Sequence, residues 1–293
     1  MAQNIYKRAL FVIFQIFVAC TCAAMESYQS DDFSKKGHHF STVKSYRAVL
    51  EKVEELLSQG IEPSSILVLS DWDDTINGKD TEAMGAWSAV LDENSVRTEE
   101  EVDHQLRDSN VIKIIDDIRD KKIKIIVTTA RPPIRDSVAI EIVQQRYGYY
   151  LFDSRFAANH PHSPNKVNLN QISHIIADLV GGYNKEALMR QARHKIAVMQ
   201  ERSGVVLTGQ EGLKESLFFH AGEQAVVYDD GFAFVGHKKG FSVLELLDKL
   251  NINCPYVIVI DDSKKAVDSY YDLLDNFSEK NMKLFFLHYP ICN

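Results

Sequence analysis

Cysteine is scarce: the 293-residue chain has four, and Cys20 and Cys22 both fall near its start. Beyond them only Cys254 and Cys292 remain, which permits one disulfide at most. There is no basic block or stripe, and 33 basic against 41 acidic side chains leave a net charge of −8. That argues against a nucleic-acid partner and reads as ordinary solubility. Internal repeats, low-complexity tracts and any apolar run after residue 24 long enough to span a bilayer are also missing. What is there is globular composition, 45% hydrophobic, 25% charged and 10% aromatic. The length suffices for one domain with inserts, or for two.

The first stretch differs from the rest. Lys7 and Arg8 precede the apolar run Ala9 to Ala19, and the small residues Thr21, Ala23 and Ala24 follow. A positive start, a short apolar core and a small-residue exit describe a secretory signal peptide, residues 1–24, cleaved after Ala24 or one residue earlier. A lipid anchor at Cys20 is the alternative, for which Phe17-Val18-Ala19 is a poor lead-in. The chain is therefore expected to be exported, to the periplasm or fully secreted, with no membrane span left after cleavage. Residues 25–41 are polar, include His38-His39, and read as a flexible linker.

The chain is organised around Ile66-Leu67-Val68-Leu69-Ser70-Asp71-Trp72-Asp73-Asp74-Thr75. An aliphatic run, entered through Pro63-Ser64-Ser65, stops at three carboxylates, as a buried strand ending at an acidic turn would. Apolar residues at helical spacing from Val43 to Leu57, closed by Gly60, predict a helix before it. Further helices are expected over 110–121 and 241–250, and strands over 123–127, 256–260 and 284–287. Residues 204–208 and 225–235 alternate as strands do, with a tight turn at Asp229-Asp230-Gly231. A helix from Pro133 to about Tyr147, a strand at 149–152 and a mainly helical stretch from about 169 to 202 complete the pattern. Apolar strands alternating with amphipathic helices predict an α/β fold with a parallel sheet covered on both faces. Parallel neighbours would leave Cys254, before one strand, and Cys292, after the next, at opposite ends of the sheet, so both are expected as free thiols.

In such sheets functional groups gather beyond the carboxyl ends of the strands. Three predicted strands end there in polar groups: Asp71 and Asp73, Thr128 and Thr129, Asp261 and Asp262. Carboxylates at a buried strand end need a partner, and hard oxygen ligands suit Mg²⁺. A carboxylate beside Mg²⁺ can attack phosphorus to form an aspartyl-phosphate, and a second carboxylate can serve as acid and then base. Thr129 offers a hydroxyl, and the backbone near Ala130 offers N–H groups, to phosphoryl oxygens. A lysine can neutralise charge on nucleophile and transferring group. Trp72 reads as packing under the site and Trp87 as part of a local core. His160 and His162 lack a metal-ligand spacing, and Arg131 and Arg135 either touch phosphate or cap local structure.

The four matches in order, Asp71-Trp72-Asp73-Asp74-Thr75, Val127-Thr128-Thr129-Ala130-Arg131, Lys239-Gly240 and Ile260-Asp261-Asp262, resemble the signature of the haloacid dehalogenase (HAD) superfamily. The resemblance spans roughly residues 64–265, and more loosely suggests a bacterial branch of exported members. It implies a HAD-like Rossmannoid three-layer sandwich over 42–293, with a parallel sheet and small, mainly helical cap inserts at about 77–109 and 153–235. It also implies Asp71 as nucleophile, Asp73 as acid and base, and Thr129, Ala130 and Lys239 as substrate-binding groups. Asp71, the Asp73 carbonyl and Asp261 would bind Mg²⁺, with Asp262 in support. Thr128 competes with Thr129, and Lys238 with Lys239; Lys264 and Lys265 stand further off. The activity so implied is an exported Mg²⁺-dependent phosphatase of small phosphate monoesters, since Asp at position 73 favours hydrolysis over ATP-driven transport. The alternative is a secreted binding module on the same fold that retains the cation site without turnover.

Overall fold

The computed structural model describes residues 33–78, 106–131, 133–134, 184–222, 224–236 and 238–290. Within them the apolar runs form strands of one sheet: β1 (Phe33–Lys35), β2 (His38–Thr42), β3 (Ile66–Asp71), β4 (Lys124–Thr129), β5 (Ser216–Ala221), β6 (Gln224–Asp229), β7 (Phe232–Phe234), β8 (Tyr256–Asp261) and β9 (Lys283–His288). Their spatial order is β1-β2-β9-β8-β3-β4-β7-β6-β5. The strands from β2 to β7 in that order run parallel, and antiparallel partners β1, β6 and β5 extend the two edges. The fold is therefore α/β on a mixed, mostly parallel sheet.

Helices cover both faces. On one side lie α1 (Arg47–Ser58), α2 (Val111–Asp120) and α3 (Lys185–Ser203), meeting Ile66, Val68, Ile125, Val127, Ile258 and Ile260. On the other lie α4 (Lys239–Lys249), α5 (Lys264–Tyr271) and α6 (Leu274–Glu279), meeting Leu67, Leu69, Ile126, Val257 and Val259. Strand alternation assigns each residue to its face. The helix ends follow local chemistry: Asn184 Oδ1 accepts from the Ala187 N–H at 2.8 Å to open α3, and Gly204 closes it at φ +72°. Asp230 and Gly231, at φ +44° and +91°, make the tight turn expected between β6 and β7.

Several boundaries differ from the sequence reading. Residues 33–41 are no linker: β1 and β2 extend the sheet beside β9. His38 is buried because both ring nitrogens are used, Nδ1 accepting from the Leu284 N–H at 3.0 Å and Nε2 lying 2.9 Å from Ser278 Oγ. Residues 204–208 are not a strand, whereas Ser216–Ala221 is one. The second insert, drawn to residue 235, runs too far, since α3 packs on the core and β5, β6 and β7 belong to the sheet. Cys254 is a buried free thiol before β8, and β8 and β9 are parallel as supposed. The signal segment, Cys292, Trp87, Arg135, His160, His162, the helix after Pro133 and the strand at 149–152 lie outside the described residues. Among the described residues no helix is long and apolar enough to cross a membrane.

β7 is short and reaches only Val127, Thr128 and Thr129 of β4. Below it, the side-chain amide of buried Gln210 replaces the missing strand. Its Oε1 accepts from the Ile125 N–H at 2.9 Å, and its Nε2 donates to the carbonyls of Ile125 at 2.7 Å and Leu207 at 2.6 Å. Gln210→Leu keeps bulk but strands a buried donor and acceptor on β4, and should cost about 2–3 kcal/mol in urea unfolding. A loss under about 0.5 kcal/mol, the range of surface substitutions, would show that Gln210 is not the support it is taken to be.

Candidate active site

The strands leave β3 in opposite directions: β4 lies on one side and β8, then β9, on the other. At such a switch point the crevice beyond the carboxyl ends is open to a ligand. Asp71 ends β3, Thr128 is its register partner on β4, and Asp261 ends β8. Alternation turns all three toward the face covered by α4 and α5. α4 begins at Lys239, two residues earlier than its apolar spacing suggested, so Lys239 enters the crevice from the first turn of the helix.

Lys239 Nζ donates to Asp71 Oδ1 and, at 2.7 Å, to Asp261 Oδ2. Asp71, Lys239 and Asp261 are 3%, 4% and 1% exposed, so the pair of ion pairs is nearly dry. Burial pushes the Asp71 carboxyl well up despite Lys239, and the carboxylates of Asp261, Asp262 and Asp73 push the same way. Burial works against the Lys239 ammonium, but Asp261 and Asp71 outweigh it and raise its pKa. Lysine is thus the cation of this cluster. Gly240 lets the end of α4 approach α5 this closely: a Cβ there would overlap the Ser269 carbonyl, whose carbon lies 2.7 Å away. Its N–H donates to Ser269 Oγ at 3.0 Å.

Asp73 lies apart from this cluster. The chain turns after β3, with the amides of Thr75, Ile76 and Asn77 all donating to the Trp72 carbonyl. Asp73 is thereby aimed at the other edge of the rim. Thr129 Oγ1 donates to its Oδ2 at 3.2 Å, and Arg131 Nε donates to its Oδ1 at 2.7 Å. The Arg131 N–H in turn donates to Thr129 Oγ1 at 3.0 Å, which folds the turn through Ala130 around the hydroxyl. Thr128 Oγ1, by contrast, is buried without a hydrogen-bond partner and belongs to the Asp71 face. The two threonines therefore serve different carboxylates. Lys238 is exposed where Lys239 is buried, and Lys264 and Lys265 are exposed on α5. Trp72 is fully buried against Phe232, under the site as expected.

Oxygens of Asp71, Asp261 and Asp262 lie within 4.8 Å of one another. Asp71 Oδ2 is buried with no hydrogen-bond partner, and buried carboxylate oxygens rarely stay so. Three carboxylates and one ammonium leave an excess of negative charge, which a hard divalent cation would balance. Burial, then Asp261 and Asp74, push the Asp262 carboxyl up to about 7. The three carboxylates form a set that could hold a metal ion. The Asp73 carboxylate is not in this group, leaving only its backbone for such a role.

Two further groups carry no motif. His288, register partner of Asp261, has Nε2 3.1 Å from the Asp262 carbonyl. Arg107 donates to the Asp74 carbonyl. Spacing alone could not have found either, because both reach the rim from distant segments.

No curated protein and no solved structure matches the chain. A family model matches residues 61–292, a stretch that contains every rim residue named above. The chain belongs to the family described as Protein of unknown function (DUF2608).

Proposed function

We propose that this chain is an exported Mg²⁺-dependent phosphatase that hydrolyses small phosphate monoesters through an aspartyl-phosphate on Asp71, built on a HAD-like Rossmannoid fold. The observation that carries the reading is the buried Lys239 ammonium held between Asp71 and Asp261, with Asp262 beside them, at the sheet's switch point. The N-terminal signal-like segment supports the export. The order of the four rim segments, which resembles the HAD signature, supports the chemistry.

The Asp71 carboxylate attacks phosphorus, forming an O–P bond as the ester P–O bond breaks. Asp73 delivers a proton to the leaving oxygen, then takes one from the water that attacks the aspartyl-phosphate and returns Asp71 and free phosphate. A proton on Asp73 would point an O–H at the place from which Arg131 now donates, so the acid half requires Arg131 to let go. Its guanidinium, with the Thr129 hydroxyl, is then available to phosphoryl oxygens. Lys239 holds Asp71 in position and offsets charge on the transferring group. Mg²⁺, held by Asp71, Asp261, Asp262 and the Asp73 carbonyl, would supply charge neutralisation at the phosphoryl oxygens.

Purified protein should hydrolyse members of a phosphate-ester panel only with Mg²⁺. Asp71→Asn should lower kcat at least about a thousandfold with folding intact by circular dichroism. BeF₃⁻ with Mg²⁺ should raise the melting temperature of the wild type and not of Asp71→Asn. A wild type inert to the whole panel yet folded would overturn the reading.

The Asp262 carboxyl, raised to about 7 from a usual 3.8, binds its proton more tightly folded than unfolded. Its contribution to stability is complete below about pH 4 and is lost as pH rises through about 7. In chelator, Asp262→Asn should therefore gain on the wild type in urea unfolding as pH rises from 4 to 7. An equal difference at both pH values would contradict the assignment.

A further inference from the structure

Beyond the strand ends, backbone pairing no longer fixes how the Asp73 loop sits against Asp261, which ends β8, and Asp262 after it. We propose that Arg107 is the positioning residue that does so: its guanidinium clamps the Asp74 carbonyl to the carbonyls of Tyr289 and Pro290, and so holds Asp73 in place over the rim.

The contacts form a complete fork. Nη1 donates to the carbonyls of Asp74 and, at 2.7 Å, of Tyr289, and Nη2 donates to the carbonyl of Pro290 at 2.5 Å. The guanidinium carbon lies 3.4 Å from the Tyr289 ring centroid, a stacked cation on an aromatic face. Its own backbone is tied to the same loop, because the Arg107 N–H donates to the Ile76 carbonyl at 3.1 Å and Leu106 bridges Asn77. The Tyr289 N–H donates to the Asp261 carbonyl at 2.9 Å. A continuous path therefore runs from the Asp73 loop through Arg107 and Tyr289 to Asp261.

The loop needs such a support. Asp74 adopts a left-handed conformation at φ +58°, a region that residues with a Cβ seldom occupy. That conformation presents the Asp74 carbonyl to Arg107 immediately after the residue that must move protons. Lysine could not replace arginine, because one ammonium on a flexible stem does not span three carbonyls in a plane.

The test uses the full chain and two variants, Arg107→Met, which removes the guanidinium but keeps an unbranched apolar stem, and Arg107→Lys, which keeps the charge. Amide hydrogen exchange read by mass spectrometry should accelerate about tenfold or more in peptides covering 72–77, and stay at wild-type rates in α1 and β8. With p-nitrophenyl phosphate and Mg²⁺, an arm that rests on the phosphatase reading, kcat should fall about 10- to 100-fold, the scale of a small misplacement. KM should stay within about threefold, and Arg107→Lys should not restore kcat. Unchanged exchange in 72–77 overturns the clamp, whatever the activity. Faster exchange with unchanged kcat overturns its bearing on chemistry. A wild type that hydrolyses no phosphate ester brings down the phosphatase reading alone, and the exchange data then decide the clamp by themselves.

Discussion

A lysine ammonium buried between two aspartates is the constraint on which the rest of the structure depends. Buried ions are costly to desolvate, and such a pair is seldom a source of net stability. Its value is positional: Lys239 can satisfy Asp71 and Asp261 together only if β3, β8 and α4 meet in one arrangement. Strand parity places both carboxylates on the α4 side. Gly240 lets α4 begin close against α5, and Ser269 receives its N–H. Each of these features is ordinary alone and informative in combination.

The rim has two tiers with separate hydrogen-bond systems. The lower is dry and holds Asp71, Lys239 and Asp261 on one sheet face. The upper holds partly exposed Asp73 with buried Thr129 and Arg131. Two carboxylates two residues apart would share a face on a continuing strand. The turn whose amides converge on the Trp72 carbonyl separates them instead. In the proposed reaction, separation suits two different tasks, since an attacking carboxylate needs a fixed place beside cations and a proton carrier needs a partner it can release.

Parts of the fold were readable before any coordinates. β3, β4, β8 and β9 are apolar runs bounded by turn residues, and α1, α2 and α4 carry their buried residues at helical spacing. Other parts misled for physical reasons. β2 reads His38-His39-Phe40-Ser41-Thr42, and a polar edge strand looks like a tail until Leu284 and Ser278 are seen satisfying His38. β5 is an edge strand with little alternation in its burial, so it offers no period to detect. Gln210 completes a sheet with a side chain, which no strand pattern announces.

The sequence by itself singled out the candidate site residues, because acidic and hydroxyl groups at the ends of apolar strands are a local pattern. It also determined that the chain builds an α/β sheet, since periodicity is a property of neighbours along the chain. Only the tertiary structure decided which of each competing pair enters the crevice. Lys239 rather than Lys238 does so because helix α4 starts there, and Thr128 and Thr129 part company because adjacent strand residues face opposite ways. It alone brought Arg107 to Asp74, Tyr289 and Pro290, since contacts across such separations depend on the packing of the whole sheet and leave no mark in local sequence.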